Sequence, residues 1–143
     1  MITREPLYAA LFDLWPTILD GIVTRERRLI HWSEVAANQQ PALFQVEADG
    51  IPERRKGLPT KWTLGARLWL YTNCGNDSRA IASVQVNNML DVIERGLDYD
   101  LNNGFQTLGG LVDEVRLAGH LSVDEGALGA QTVTQIFIEM VVA

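Results

Sequence analysis

The stretch QTLGGLVDEVRLAG, Gln106 to Gly119, decides between two fold classes. Two glycines stand before a run that alternates apolar and charged residues. If Gly109-Gly110 cradled a phosphate, a helix would follow, because a helix N-terminus supplies the amides that face the anion. A Walker loop would also carry Lys-Ser/Thr, and a dinucleotide fingerprint a third glycine. Neither context is present. Leu111, Asp113, Val115 and Leu117 alternate with Val112, Glu114, Arg116 and Ala118, which is the period of a strand. The glycines are therefore read as a bend that aims a strand.

Downstream, GHLSVDEGALGAQ carries Gly119, Gly126 and Gly129, and Asp124-Glu125 read as turn residues. The last strand is Thr132 to Val142. It is apolar on both faces, as in a strand central in its sheet or at an interface. Upstream, Asp98 to Gly104 is a polar loop. Arg79 to Leu97 reads as a helix with Ala82, Val86, Met89, Leu90, Ile93 and Leu97 on one stripe. Asn76, Asp77 and Ser78 offer N-caps, and Gly96 suits termination. Lys61 to Thr72 is a strand with Trp62, Leu64, Ala66, Leu68 and Leu70 on one face. Its other face carries Thr63, Gly65, Arg67, Trp69 and Tyr71, and is aromatic enough to need cover from a loop or a neighbouring subunit. Asp49 to Thr60 is an exposed loop with two prolines and two glycines. Ala42 to Ala48 is a strand entered through Pro41, and Arg25 to Trp32 a short one. Pro6 to Leu19 is a helix with Thr3 as N-cap and a kink or early end at Pro16. The order α-β-β-β-α-β-β, with strands clustered, predicts an α+β fold. About five strands form a mostly antiparallel, mixed sheet, and two helices cover one face.

The 143 residues, 47% of them hydrophobic, suffice for one domain with one core. No apolar run approaches the roughly 20 residues that span a bilayer, so no membrane partner is expected. The N-terminus, broken by Asp13 and Asp20, does not read as a signal peptide. Cys74 is the single cysteine, and cytosolic synthesis is the simplest reading. The net charge of −6 is unevenly placed. Residues 25–61 hold seven basic against five acidic side chains, and the remainder five against thirteen. Tight nucleic-acid binding, which rests on neutralising phosphates, is disfavoured. A surface of two signs suits head-to-tail contact between copies.

No catalytic, cofactor or metal site is expected. His31 and His120 lie on separate segments without ligand-spaced neighbours. Asp113 and Glu114 are adjacent, so on a strand they face opposite ways. Cys74 has no cation near it in sequence, and the serines lack a nucleophile elbow. The contact candidates are the Arg54-Arg55-Lys56 loop, Arg25, Arg27, Arg28, Trp69, Asp113 and Glu114.

Several segments in order, RRLIHWSEV and QQPALFQVE, GLPTKWTLGARLWLY, VNNMLDVIERGL, and QTLGGLVDEVRLAGHL, together resemble the tail terminator (tail completion) proteins of long-tailed bacteriophages and prophages. The resemblance spans about Pro6 to Val142. It implies a homo-oligomeric ring, commonly hexameric, assembled in the host cytoplasm and resident in the virion at the head-proximal end of the tail. Its implied partners are the tail tube protein and the head-tail connector protein, with DNA only passing through the lumen. No catalysis and no cofactor are implied. A head-closure protein is the neighbouring alternative. From other classes stand a small enzyme using Asp113 or His120, and a toxin–antitoxin-like binding module.

Overall fold

The periodicities resolve into two helices and five strands: α1 (Arg4–Ile18), β1 (Thr24–Glu26), β2 (Ala42–Glu53), β3 (Lys61–Asn73), α2 (Ala82–Leu97), β4 (Glu114–Leu128) and β5 (Gln131–Val142). The computed structural model describes the backbone of residues 1–143 and every side chain except those of Ala127 and Leu128. The strands form one sheet in the order β1-β2-β3-β5-β4. Every neighbouring pair is antiparallel except β1 with β2. The fold is thus α+β with a mixed, mostly antiparallel sheet, in the expected element order. β5, apolar on both faces, lies between β3 and β4.

Alternation on β3 and β5 creates the core. Leu64, Ala66, Leu68 and Leu70 share a face with Ile136, Ile138 and Met140, and all seven are buried. Leu7, Leu11 and Trp15 of α1 and Met89, Ile93 and Leu97 of α2 pack onto that face. Each such side chain contributes roughly 1.5–3 kcal/mol by leaving water. A polar chain of bonds fixes how α1 lies. Trp15 Nε1 donates to Gln45 Oε1 at 2.8 Å, Gln45 Nε2 to the Tyr8 carbonyl at 3.0 Å, and Tyr8 Oη to the Gly65 carbonyl at 2.8 Å. Loss of water around Tyr8 raises its phenol pKa above the usual tyrosine range.

Pro16 acts as expected, since α1 ends two residues later. Having no N–H, it leaves the Phe12 carbonyl without its helical partner. Arg25 Nη1 donates to that carbonyl at 2.6 Å, with its guanidinium 4.0 Å over the Phe12 ring. Thr3 occupies the N-cap position, but its side chain makes no capping bond.

Several boundaries differ from the sequence reading. α2 starts at Ala82 rather than Arg79, because Asp77 accepts from the Arg79 amide at 2.9 Å and closes a separate turn. Gly96 does not end α2. A Cβ there would stand 2.7 Å from Ile18 Cδ1, so this glycine lets the helices touch. The strand expected over Arg25 to Trp32 shrinks to β1, and Trp32–Glu34 is a 3₁₀ turn. β2 continues through the expected loop as far as Glu53, past a bulge between Glu47 and Gly50. Pro52 is tolerated because β1 pairs β2 only at Ala42–Phe44, leaving its far half an edge. β4 starts at Glu114 rather than Leu111 and runs on to Leu128. Asp124 and Glu125, expected in a turn, pair with Val133 and Thr132. Register shifts at Ala118/Ser122 and Glu125/Leu128 accompany Gly119 and Gly126, both at positive φ.

The far face of the sheet is covered at one end by the chain itself. Val35, Phe44, Tyr71 and Val133 form a second buried cluster, with Ile30, Trp32 and Trp69 against it. Tyr71 Oη donates to the Ile30 carbonyl at 2.7 Å. Among the described residues no helix is long and apolar enough to cross a membrane.

Candidate functional site

The opening glycines sit in a turn. Leu108, Gly109 and Gly110 all have positive φ, and the Gly110 amide donates to the Thr107 carbonyl and hydroxyl, each at 3.1 Å. The amide that an anion would need is therefore already bonded. β4 follows, and the Val112 side chain between turn and strand is buried in the main core. The glycines aim a strand.

Among the described residues no group of three or more His, Cys, Asp or Glu could hold a metal ion. His31 Nδ1 lies 2.7 Å from Ser33 Oγ in a local turn, and His120 stands exposed on β4 with its ring 6.4 Å from that of Phe137. Cys74 lines an open recess of about 660 Å³ with Ile18, Ile81, Val84 and Met89. That recess is mostly apolar, and the polar residues that line it beside Cys74 are Asp20, Asn73, Gln85 and Asn88.

The contact candidates separate into two groups. Arg25 is bound to α1 as described and lies 3.9 Å from Asp13. Arg27 is paired with Glu5, whose hydrogen bond from Arg27 lowers the Glu5 carboxyl pKa, and its other nitrogen lies 3.6 Å from Glu47. Both arginines hold the segment after α1 against the body. Trp69 is half-buried beside Trp32, Ser122, Asp124 and Gln135. Glu114 is also half-buried, 3.7 Å from Arg116, which bonds more closely to Glu139 at 2.9 Å.

The others face solvent. Arg28 is exposed beyond β1. Arg54 and Lys56 are exposed in the loop after β2, where Arg55 Nη2 donates to the Pro59 carbonyl at 3.0 Å. Asp113 is exposed just before β4. Sequence patterning passed over the apolar side chains around these charges. Ile51 and Leu58 are exposed near the basic loop, and Tyr99, Leu101, Phe105 and Leu111 in the segment that leads to β4. An apolar residue inside a polar loop gives no periodic signal.

No family model matches the chain, and no curated protein does.

The basic loop is open backbone at a hairpin tip, a preferred position for proteolysis. Brief trypsin treatment of the free protein is expected to cut first after Arg54, Arg55 or Lys56, as read by mass spectrometry of the fragments. A first cut at Arg79 or Arg95 would show the tip to be shielded.

Proposed function

We propose that this chain is a structural protein of virion assembly, a tail terminator that forms a ring on the end of the tail tube. The ring stops further polymerisation and offers the surface to which the head connector attaches. The observation that carries the reading is the order of the resembling segments. They fall in turn on the segment covering the far face, on β2, on β3, on α2 and on the bend that feeds β4, so the likeness follows the framework of the fold rather than one loop.

Physical chemistry supports it further. A ring needs two unlike surfaces per subunit, each meeting the other on the next copy. The basic loop and the acidic remainder are unlike surfaces. Acidic walls also let DNA slide, since they bind no phosphate.

Tails assembled without this protein are expected to be overlong and headless in electron micrographs, and adding it back is expected to restore a fixed length. Tails of normal length in its absence would overturn the proposal. If the protein instead binds filled heads and ignores tails, it is a head-closure protein.

A further inference from the structure

One row of the sheet runs Ile51–Thr63–Val141–Glu114 across four strands. The distal half of β2 lies at one flank of this row and β4 at the other, about 14 Å apart at ordinary strand spacing. The β2 flank is open there, since β1 pairs β2 only as far as Phe44. Among the described residues no strand pairs with the outer side of β4, and the Val115 amide donates instead to the Gln106 carbonyl at 2.8 Å, which sets the segment leading to β4 against that edge.

The two flanks carry opposite charge at the same end of the sheet. Beyond the β2 side, residues 51–60 bear Arg54, Arg55 and Lys56 against Glu53, with Ile51 and Leu58 exposed. On the β4 side, residues 98–113 bear Asp98, Asp100 and Asp113 and no basic residue. There Tyr99 and Phe105 meet edge to face at 5.0 Å and are both exposed, and Leu101 is almost wholly so. Each flank thus pairs apolar area with an excess of one sign of charge, although Glu53 stands on the basic side and Arg95 and Arg116 line recesses beside Asp98 on the acidic one. None of Arg54, Arg55, Lys56, Asp98 or Asp113 enters an ion pair among the described residues.

We infer that these flanks are the two halves of one contact, and that the partner is a second copy of this chain. The basic β2–β3 tip of one copy seats on the acidic, aromatic corner of the next, beside its β4. A copy displaced along the row places them together because both begin on that row. The contact is heterologous, so repetition with a fixed rotation closes a ring. Apolar area at Tyr99 and Leu58 supplies attraction, and charge fixes the pairing and its direction. The inference rests on the ring reading and assigns that ring its subunit interface.

The test is sedimentation velocity on the full chain and charge-reversed variants. Asp100 is left alone because it holds its own loop, accepting from the Asn102 amide at 2.8 Å and Asn103 Nδ2 at 2.9 Å. Arg54→Glu/Lys56→Glu and Asp98→Lys/Asp113→Lys are each expected to weaken self-association about tenfold or more, because like charges then meet. Joining all four changes is expected to restore it. The exposed positions leave folding intact, which circular dichroism verifies. Self-association indifferent to every reversal overturns this interface and leaves the ring standing. Weakening by either pair without rescue by the four together overturns the pairing. A chain monomeric at all concentrations overturns the contact, and tail length then judges the ring separately.

Discussion

Trp15→Ala is expected to lower folding stability by roughly 3–5 kcal/mol, the usual cost of truncating a buried aromatic. A domain of this size holds only about 5–15 kcal/mol in total, so the variant should be barely folded at room temperature. Packing and polarity both act at this site. Trp15 is wholly buried between α1 and the sheet, and its indole N–H is bonded to Gln45. Truncation opens a cavity and leaves the Gln45 carbonyl oxygen without that donor in the interior, where an unmet group costs about 1–3 kcal/mol. Trp15→Phe separates the effects: it keeps most of the volume, loses the donor, and should cost about 1–3 kcal/mol. Urea titration followed by circular dichroism gives both values, with the midpoint moving and the slope unchanged. A Trp15→Ala unfolding free energy within about 1 kcal/mol of wild type would show that α1 is not docked through this residue.

That docking was only half legible in the sequence. The apolar stripe of α1 announced which side would be buried, and Trp15 stood beside it. Gln45 gave no such sign. It alternates with apolar neighbours on β2 as a solvent-facing residue does, yet it is buried. Its two bonds come from residues 30 and 37 positions away, and no local pattern encodes them. The sheet was easier to read because period-two alternation needs only neighbours in sequence. β3 and β5 agree with expectation to within a residue or so, and the face of β3 that packs on the helices was assigned correctly. Misplaced boundaries cluster where bulges interrupt that alternation, at Glu47/Gly50 and Ala118/Ser122. A bulge adds a residue and shifts the phase, so a strand that continues looks like one that has stopped.

Charge was legible as composition but not as placement. Arg25, Arg27 and Arg54 are equivalent in the sequence. Arg25 is held at α1 by a carbonyl that Pro16, nine residues away in sequence, leaves open, and only Arg54 is free at a hairpin tip. The opposite flanks became visible only after strand order placed β2 and β4 on either side of β3 and β5. Sequence order separates the basic loop and the acidic segment by α2, and the sheet returns both to one row.

Gly65→Val carries the second large effect, and here sequence and structure predict opposite signs. Gly65 lies inside β3, between two other strands. Glycine weakens a strand, and valine is among the best strand formers, so propensity alone predicts a gain of up to about 1 kcal/mol. The structure forbids that gain. A Cβ at this position would stand 2.8 Å from the Asp49 carbonyl oxygen and 3.1 Å from Ala48 Cβ, where the β2 bulge bends over β3. The first obstacle is backbone, which cannot rotate aside as a side-chain tip can. Either the bulge is pushed off or β3 sinks into the core, and the Gly65 carbonyl that accepts from Tyr8 moves with it. The expected cost is about 2–3 kcal/mol, at the upper end of overpacking, with Gly65→Ala smaller and of the same sign. Because the bulge sets the direction of the last residues of β2, the same variant should change the trypsin cutting rate at Arg54–Lys56, while a cavity far from β2, such as Ile93→Ala, should lower stability without changing that rate under native conditions. A more stable Gly65→Val would mean that β2 does not bend over β3 here, and that the basic tip is aimed by something else.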